Sequence, residues 1–115
     1  MPFYFAYGSN MDAAAMRSRC PKSRLICRAR LARHRFALTA DGHATVVRDP
    51  ASETHGVLYD LALSDVPALD RYEEVSRGLY AKATQPVLRA DGSPARALVY
   101  IGAAPAAAGP AKKPQ

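Results

Sequence analysis

The sequence predicts an α+β fold, a small mixed β-barrel of about six strands, closed or half-closed, with short helices at its rim. Three observations predict it. Six or so runs alternate apolar and polar side chains with the period of two that a strand requires, separated by Gly, Asp-Gly or Asp-Pro breaks. Only two segments carry the signals of a helix, and both are short. The chain has 115 residues, which fits one domain and leaves no room for two.

Taken in order, Phe3, Phe5 and Tyr7 alternate with Pro2, Tyr4 and Ala6, a short strand with strong β-formers on both faces. Gly8-Ser9-Asn10 breaks it. A helix is expected from about Met11 to Cys20, with Ser9 as N-cap, Asp12 completing a short capping box, and Pro21 ending it. Arg24 to Thr39 reads as extended, because Leu25, Cys27 and Ala29, then His34, Phe36 and Leu38, alternate with their neighbours. Asp41-Gly42 marks a turn, Thr45-Val46-Val47 a strand core, and Asp49-Pro50 with Ala51-Ser52 the next loop. His55 to Leu61 reads as a further strand.

Ser64 is expected to cap a second helix, with Pro67 tolerated in its first turn. Val66, Leu69, Asp70 and Glu73 follow the i, i+3, i+4, i+7 rule and share one face. Gly78 closes that element. Leu79 to Leu88 and Ala95 to Ile101 make a hairpin about Asp91-Gly92. The domain is therefore expected to span residues 1–102, and Ala103–Gln115, rich in Ala, Pro, Gly and Lys, reads as a disordered tail.

Composition excludes several classes. Apolar residues make up 49% of the chain, enough for a core, yet no apolar run approaches the ~20 residues that span a bilayer. The N-terminus lacks the charged-then-apolar pattern of a secretory signal, so the cytoplasm is expected, with Cys20 and Cys27 as free thiols. Net charge is +6 and uneven: Arg17, Arg19, Lys22, Arg24, Arg28, Arg30, Arg33 and Arg35 lie between Ala13 and Ala40 with no acidic residue among them. No nucleic-acid-binding motif accompanies that run, so a solvated face is favoured over a nucleic-acid partner.

Two places break local rules. At Tyr7-Gly8-Ser9-Asn10 a strand ends in a glycine turn that opens a helix, which aims several backbone N–H groups one way and can receive an anion or oxyanion. An ordinary capped strand-to-helix turn looks the same. At Glu73-Glu74 two carboxylates stand near a helix C-terminus, where the macrodipole disfavours negative charge. Glu73 shares the apolar face and should point at least partly inward with a raised pKa, whereas Glu74 is turned about 100° away into solvent. A surface glutamate paired with Arg71 or Arg77 is an equal alternative. His34, His43 and His55 lack metal-ligand spacing, and no G-x-S-x-G, Walker loop or dinucleotide fingerprint is present.

Tyr4-Phe5-Ala6-Tyr7-Gly8-Ser9-Asn10-Met11 resembles the opening signature of the γ-glutamylcyclotransferase-like (AIG2-like) family. Ala44–Val47 before Asp49-Pro50, then Gly56–Tyr59, resemble its two middle strands. Leu69–Val75 with Gly78-Leu79-Tyr80 resembles the segment that holds its catalytic glutamate, which maps to Glu73. The resemblance, from about Phe3 to Ile101, implies a β-barrel-like fold. It also implies a substrate loop at Tyr7, Gly8, Ser9 and Asn10, and a pocket lined by Tyr80 and Tyr100. The implied reaction converts a γ-glutamyl amino acid, peptide or amine into 5-oxoproline and the free amine, with Glu73 as base and acid and with no metal or cofactor. Longer relatives add an aromatic segment that helps to close the pocket, where Ala103–Gln115 has no aromatic residue. The alternative on the same fold is a non-catalytic carboxylate-binding or regulatory module.

Overall fold

The computed structural model describes residues 2–102. The expected tail, Ala103–Gln115, lies outside the described residues. Five strands close a barrel: β1 (Phe3–Ala6), β2 (Arg24–Leu38), β3 (Ala44–Asp60), β4 (Tyr80–Arg89) and β5 (Pro94–Gly102). Their spatial order is β1-β3-β2-β4-β5, and β5 returns to β1. The β1–β5 pair is parallel and every other pair antiparallel, so the sheet is mixed. Two seams are short: β2 and β4 pair only at Ala29↔Arg89 and Arg30↔Leu88, and β1 and β5 only at Phe3↔Ala97 and Tyr4↔Leu98.

The strand count is five rather than six. Thr45–Val47 and His55–Leu61 are not separate strands but parts of β3, which runs through the expected loop. Pairing is regular up to His34↔Arg48 and resumes at Ala32↔Glu53, so Asp49–Ser52 bulge out opposite the single residue Arg33. Asp49 organises the bulge by accepting from Ala51 N–H at 3.1 Å and from the Ser52 hydroxyl at 2.8 Å. Pro50 can stand inside a long strand because a bulge asks it for no ladder hydrogen bond. The local turn signal was real; the strand absorbs it.

β1 buries both faces, which explains its β-formers on each side. Phe5 and Tyr7 join Leu31, Val46, Leu58, Val87 and Val99 inside the barrel. Tyr4 and Ala6 face outward into a second apolar layer with Met16, Cys20, Leu61, Leu69 and Tyr100, covered by α1 (Ala13–Arg19) and α2 (Val66–Tyr72). Gly56 lets β1 and β3 approach: a Cβ there would stand 2.3 Å from the Ala6 carbonyl oxygen.

Both helices begin differently from expectation. Ser9–Met11 form a 3-10 turn, and Asp12 is the N-cap of α1, accepting from Ala14 N–H at 3.1 Å. Ser64 makes no cap; it sits in a 3-10 turn, Leu63–Asp65, that leads into α2. Asp65 is buried and accepts from Lys22 N–H at 2.9 Å and the Ser23 hydroxyl at 2.8 Å, tying the end of α1 to the start of α2. Pro21 ends α1 and Pro67 sits in the first turn of α2 as their fixed φ requires. Among the described residues no helix is long and apolar enough to cross a membrane.

Candidate active site

One end of the barrel opens into a cavity of about 520 Å³. Its walls come from the loop Tyr7–Asn10 that leaves β1, the turn Thr39–Ala44 between β2 and β3, and the segment Tyr72–Tyr80 that links α2 to β4, with Tyr4 and Phe5 of β1 and Tyr100 of β5 completing the lining. All seven residues singled out in the sequence, Tyr7, Gly8, Ser9, Asn10, Glu73, Tyr80 and Tyr100, line it. The loop and the glutamate, far apart in sequence, therefore share one chamber.

Glu73 caps the C-terminus of α2, its N–H bonded back to the Leu69 carbonyl at 3.0 Å. Leu69 on the same face is fully buried, so the helix is rotated with Glu73 toward the interior. Burial pushes the Glu73 carboxyl up to about 7, and the nearby Arg19 charge partly opposes this. Glu74 takes the other course. It adopts φ 53°, and its carboxylate pairs with Arg77 at 2.5 Å near the surface. A left-handed residue at the end of this helix is where glycine is at home, so Glu74 carries a local backbone strain there.

The donor wall comes from the glycine turn. The first hydrogen bond of the 3-10 turn runs from Met11 N–H to the Gly8 carbonyl at 3.0 Å, so the amides of Ser9 and Asn10 lie ahead of the ladder. The Asn10 side chain is not free for a ligand. It is buried, with Nδ2 donating to the Tyr4 hydroxyl at 3.1 Å and Oδ1 accepting from Arg19, while its carbonyl accepts from the Tyr59 hydroxyl at 2.9 Å. Any part Asn10 plays toward a ligand is thus through its backbone. Gly8 is needed partly for packing, since a Cβ would meet the Ala44 Cβ at 3.3 Å.

Tyrosines supply the rest. The Tyr7 hydroxyl donates to the Tyr100 carbonyl, and Tyr80 to the Ala44 carbonyl. Tyr100 donates to Asp70 Oδ1 at 2.6 Å. With their protons committed, these hydroxyl oxygens can only accept from a group in the cavity. Burial, above all, raises every one of these phenols; Tyr80 is pushed up to about 12, so all stay neutral near pH 7. The cavity thus brings together the glycine turn, three neutral phenols and a carboxyl of nearly neutral pKa.

The sequence did not single out Tyr4, Tyr72 or the turn Thr39–Ala44 as lining, or Arg19, which stands behind the lining on Asn10 and Tyr72. Asp70 was visible as the residue one helical turn before Glu73. Arg19 was hidden inside a basic run. Among the described residues no group of three or more His, Cys, Asp or Glu could hold a metal ion.

Fold and cavity together define a small closed-barrel protein with a tyrosine-lined pocket that holds one half-buried glutamate. The model of the family described as gamma-glutamyl cyclotransferase, AIG2-like, matches residues 4–114, and the chain belongs to that family. It is 28% identical over 108 residues to a Homo sapiens gamma-glutamylcyclotransferase, and 31% identical over 87 residues to that of Mus musculus. Those matches cover 85% and 67% of this chain but only 57% and 46% of the relatives. The chain thus spans about half the length of the curated relatives it matches. A solved structure titled gamma-glutamyl cyclotransferase superposes with a TM-score of 0.85 at 25% identity, covering 90% of this chain and 68% of the other. An AIG2-like protein from Mus musculus shares the fold at a TM-score of 0.69 and 17% identity, over 90% of this chain and 78% of that one.

Proposed function

We propose that this protein converts a γ-glutamyl amino acid, peptide or amine into 5-oxoproline and the free amine, with Glu73 as the proton-transfer catalyst. The observation that carries the proposal is the shared cavity: the half-buried Glu73, its carboxyl pushed up to about 7, and the loop Gly8–Asn10 line the same space.

The chemistry follows from that pairing. The α-amino nitrogen of the substrate attacks its own γ-carbonyl carbon, a new C–N bond closes the lactam, and the amide C–N bond breaks. The attacking nitrogen starts as an ammonium and ends as a lactam N–H. It sheds two protons, and the leaving amine gains two and departs as an ammonium. No water is consumed. A carboxylate that ionises near pH 7 can take a proton from the ammonium and still return one, which a strongly acidic carboxyl does poorly. The amides after Tyr7 would hold the α-carboxylate or the oxyanion, and one such donor is typically worth ~3 kcal/mol. Because attack is intramolecular, folding the bound substrate toward its reactive shape supplies much of the acceleration.

The deciding experiment measures 5-oxoproline release from a panel of γ-glutamyl amino acids and γ-glutamyl-lysine, with wild type beside Glu73→Gln. Release by wild type and a loss of about 10²–10⁴-fold in the variant is expected for a general base. Turnover that survives the substitution would remove Glu73 from the mechanism. Binding of a γ-glutamyl ligand without release by wild type would instead favour a carboxylate receptor.

A further inference from the structure

Arg19 stands at the C-terminal end of α1, away from both segments assigned to the reaction, yet it touches each of them. One guanidinium nitrogen, Nη1, donates to Asn10 Oδ1 in the loop. The guanidinium plane lies over the Tyr72 ring, with 3.7 Å from Cζ to the ring centroid. Tyr72 immediately precedes Glu73, and its hydroxyl meets the Ser9 hydroxyl at 2.5 Å. The result is a closed circuit, Arg19–Asn10–Ser9–Tyr72, across three parts of the chain.

We propose that Arg19 is the positioning residue of this pocket, a clasp that sets the separation between the Ser9–Asn10 amides and the Glu73 carboxylate. This rests on the reading of the cavity as a cyclotransferase site.

The clasp uses properties that only arginine combines. A planar guanidinium can hydrogen-bond at its edge while it stacks by its face, which a lysine ammonium cannot do. Arg19 fixes a buried Asn10, whose other bonds to Tyr4 and Tyr59 join the loop to the barrel wall. Without it the loop keeps its backbone turn and the Ser9–Tyr72 bond, but loses the bridge from Asn10 to the Tyr72 ring.

Several titratable groups also face Glu73. Tyr4 faces it from β1, Tyr7 from the loop that follows, Tyr80 from β4 and Tyr100 from β5, all neutral phenols at pH 7. On its own segment, Asp70 is engaged by Lys82 and Tyr100, and Glu74 by Arg77. Arg19 is the cation that opposes the effect of burial on Glu73.

The test compares wild type, Arg19→Lys and Arg19→Gln by two readouts in the resting protein and one in turnover. Carboxyl NMR follows the Glu73 titration, amide relaxation order parameters follow Ser9 and Asn10, and 5-oxoproline release gives KM and kcat. Arg19→Gln is expected to move the Glu73 midpoint upward and to lower both order parameters from the ~0.85 of rigid backbone toward the ~0.6 of a flexible loop. Arg19→Lys should keep the midpoint near wild type but fail to restore the amides, with KM raised about tenfold. Tyr72→Phe, which keeps the stacking ring and removes only the bond to Ser9, should lower the Ser9 order parameter without moving the midpoint. Unchanged order parameters in Arg19→Gln and in Tyr72→Phe would overturn the clasp. Absence of 5-oxoproline from wild type would remove the cyclotransferase reading alone, because titration and amide ordering decide Arg19 without turnover.

Discussion

The Tyr100 hydroxyl donates to Asp70 Oδ1 across 2.6 Å, joining the last strand of the barrel to the helix that ends at Glu73. Lys82 holds the other oxygen of the same carboxylate at 3.0 Å. The chain Lys82–Asp70–Tyr100 has one polarity: each proton points toward Asp70. The Tyr100 oxygen therefore faces the cavity as an acceptor, suited to a substrate ammonium.

Asp70→Asn should reverse that polarity. Lys82 can only donate, so the carboxamide turns its oxygen to Lys82 and its NH2 to Tyr100. The phenol proton is then pushed into the cavity, where it meets an ammonium. We expect KM to rise about tenfold, the cost of one lost hydrogen bond, with kcat less affected. Adding Lys82→Met frees the amide to flip back and should recover part of the loss. A double variant no better than the single one would show that Asp70 does not act through the direction of this bond.

The pH profile of turnover should be set by Glu73. Its ionised form is the base, so kcat/KM should climb tenfold per pH unit below about 7 and level off above it. The rate–pH curve of wild type checks this; a midpoint near the ordinary glutamate value of 4.5 would assign the base to another group.

Stability carries the opposite sign. The folded pKa of Glu73 is raised, so the fold holds the protonated carboxyl more tightly than the unfolded chain does. That contribution is complete below 4.5 and is lost as pH climbs to about 7. Ionised Glu73 should thus cost on the order of 2–3 kcal/mol at pH 8. Glu73→Gln is expected to stabilise the protein by that order at pH 8 and by little at pH 4, read from urea midpoints. An equal gain at both pH values would mean that charge burial is not its source.

Two glycines separate packing from backbone freedom. Gly56→Ala would place a Cβ 2.3 Å from the Ala6 carbonyl oxygen and 2.8 Å from the Phe5 ring, against backbone that cannot yield. A loss of about 3 kcal/mol or more is expected. Gly42→Ala meets nothing within 4 Å, although φ is 85°, and should cost only about 1–2 kcal/mol. Thermal melts of the two variants give the comparison directly.

Glu74 tests the left-handed helix end. Glu74→Gly removes the Cβ strain at φ 53° and also the exposed Arg77 pair, two small effects of opposite sign. A shift within about 1 kcal/mol is expected. Glu74→Val keeps the strain, adds branching at Cβ and loses the pair, so it should be less stable than Glu74→Gly by about 1–2 kcal/mol.

Much of this was legible in the chain because it depends on neighbours in sequence. Alternation along Phe3–Tyr7 and Tyr80–Arg89, the breaks at Gly42, Gly78 and Gly92, and Pro21 after α1 are dictated by sterics within a few residues. Helical spacing with Leu69 made an inward Glu73 one of two equal readings, the other being a surface carboxylate paired with Arg71 or Arg77. The two motifs that mark the family are likewise contiguous runs. Asp49-Pro50 shows the boundary of such reasoning: the turn chemistry is there, yet pairing with β2 on both sides carries the strand through it.

What only the tertiary structure decided are the meetings between distant residues. Arg19 looked like one cation in a solvated run, and Asp70 like one more polar residue on a helix. Barrel closure brings Arg19 onto Tyr72 and Asp70 onto Tyr100, and seats the turn Thr39–Ala44 against the pocket. Backbone propensity acts over a turn or a strand pair, so it could specify the parts and the glutamate. The environment that raises the Glu73 pKa depends on which side chains exclude water from it, and the closed fold determines those.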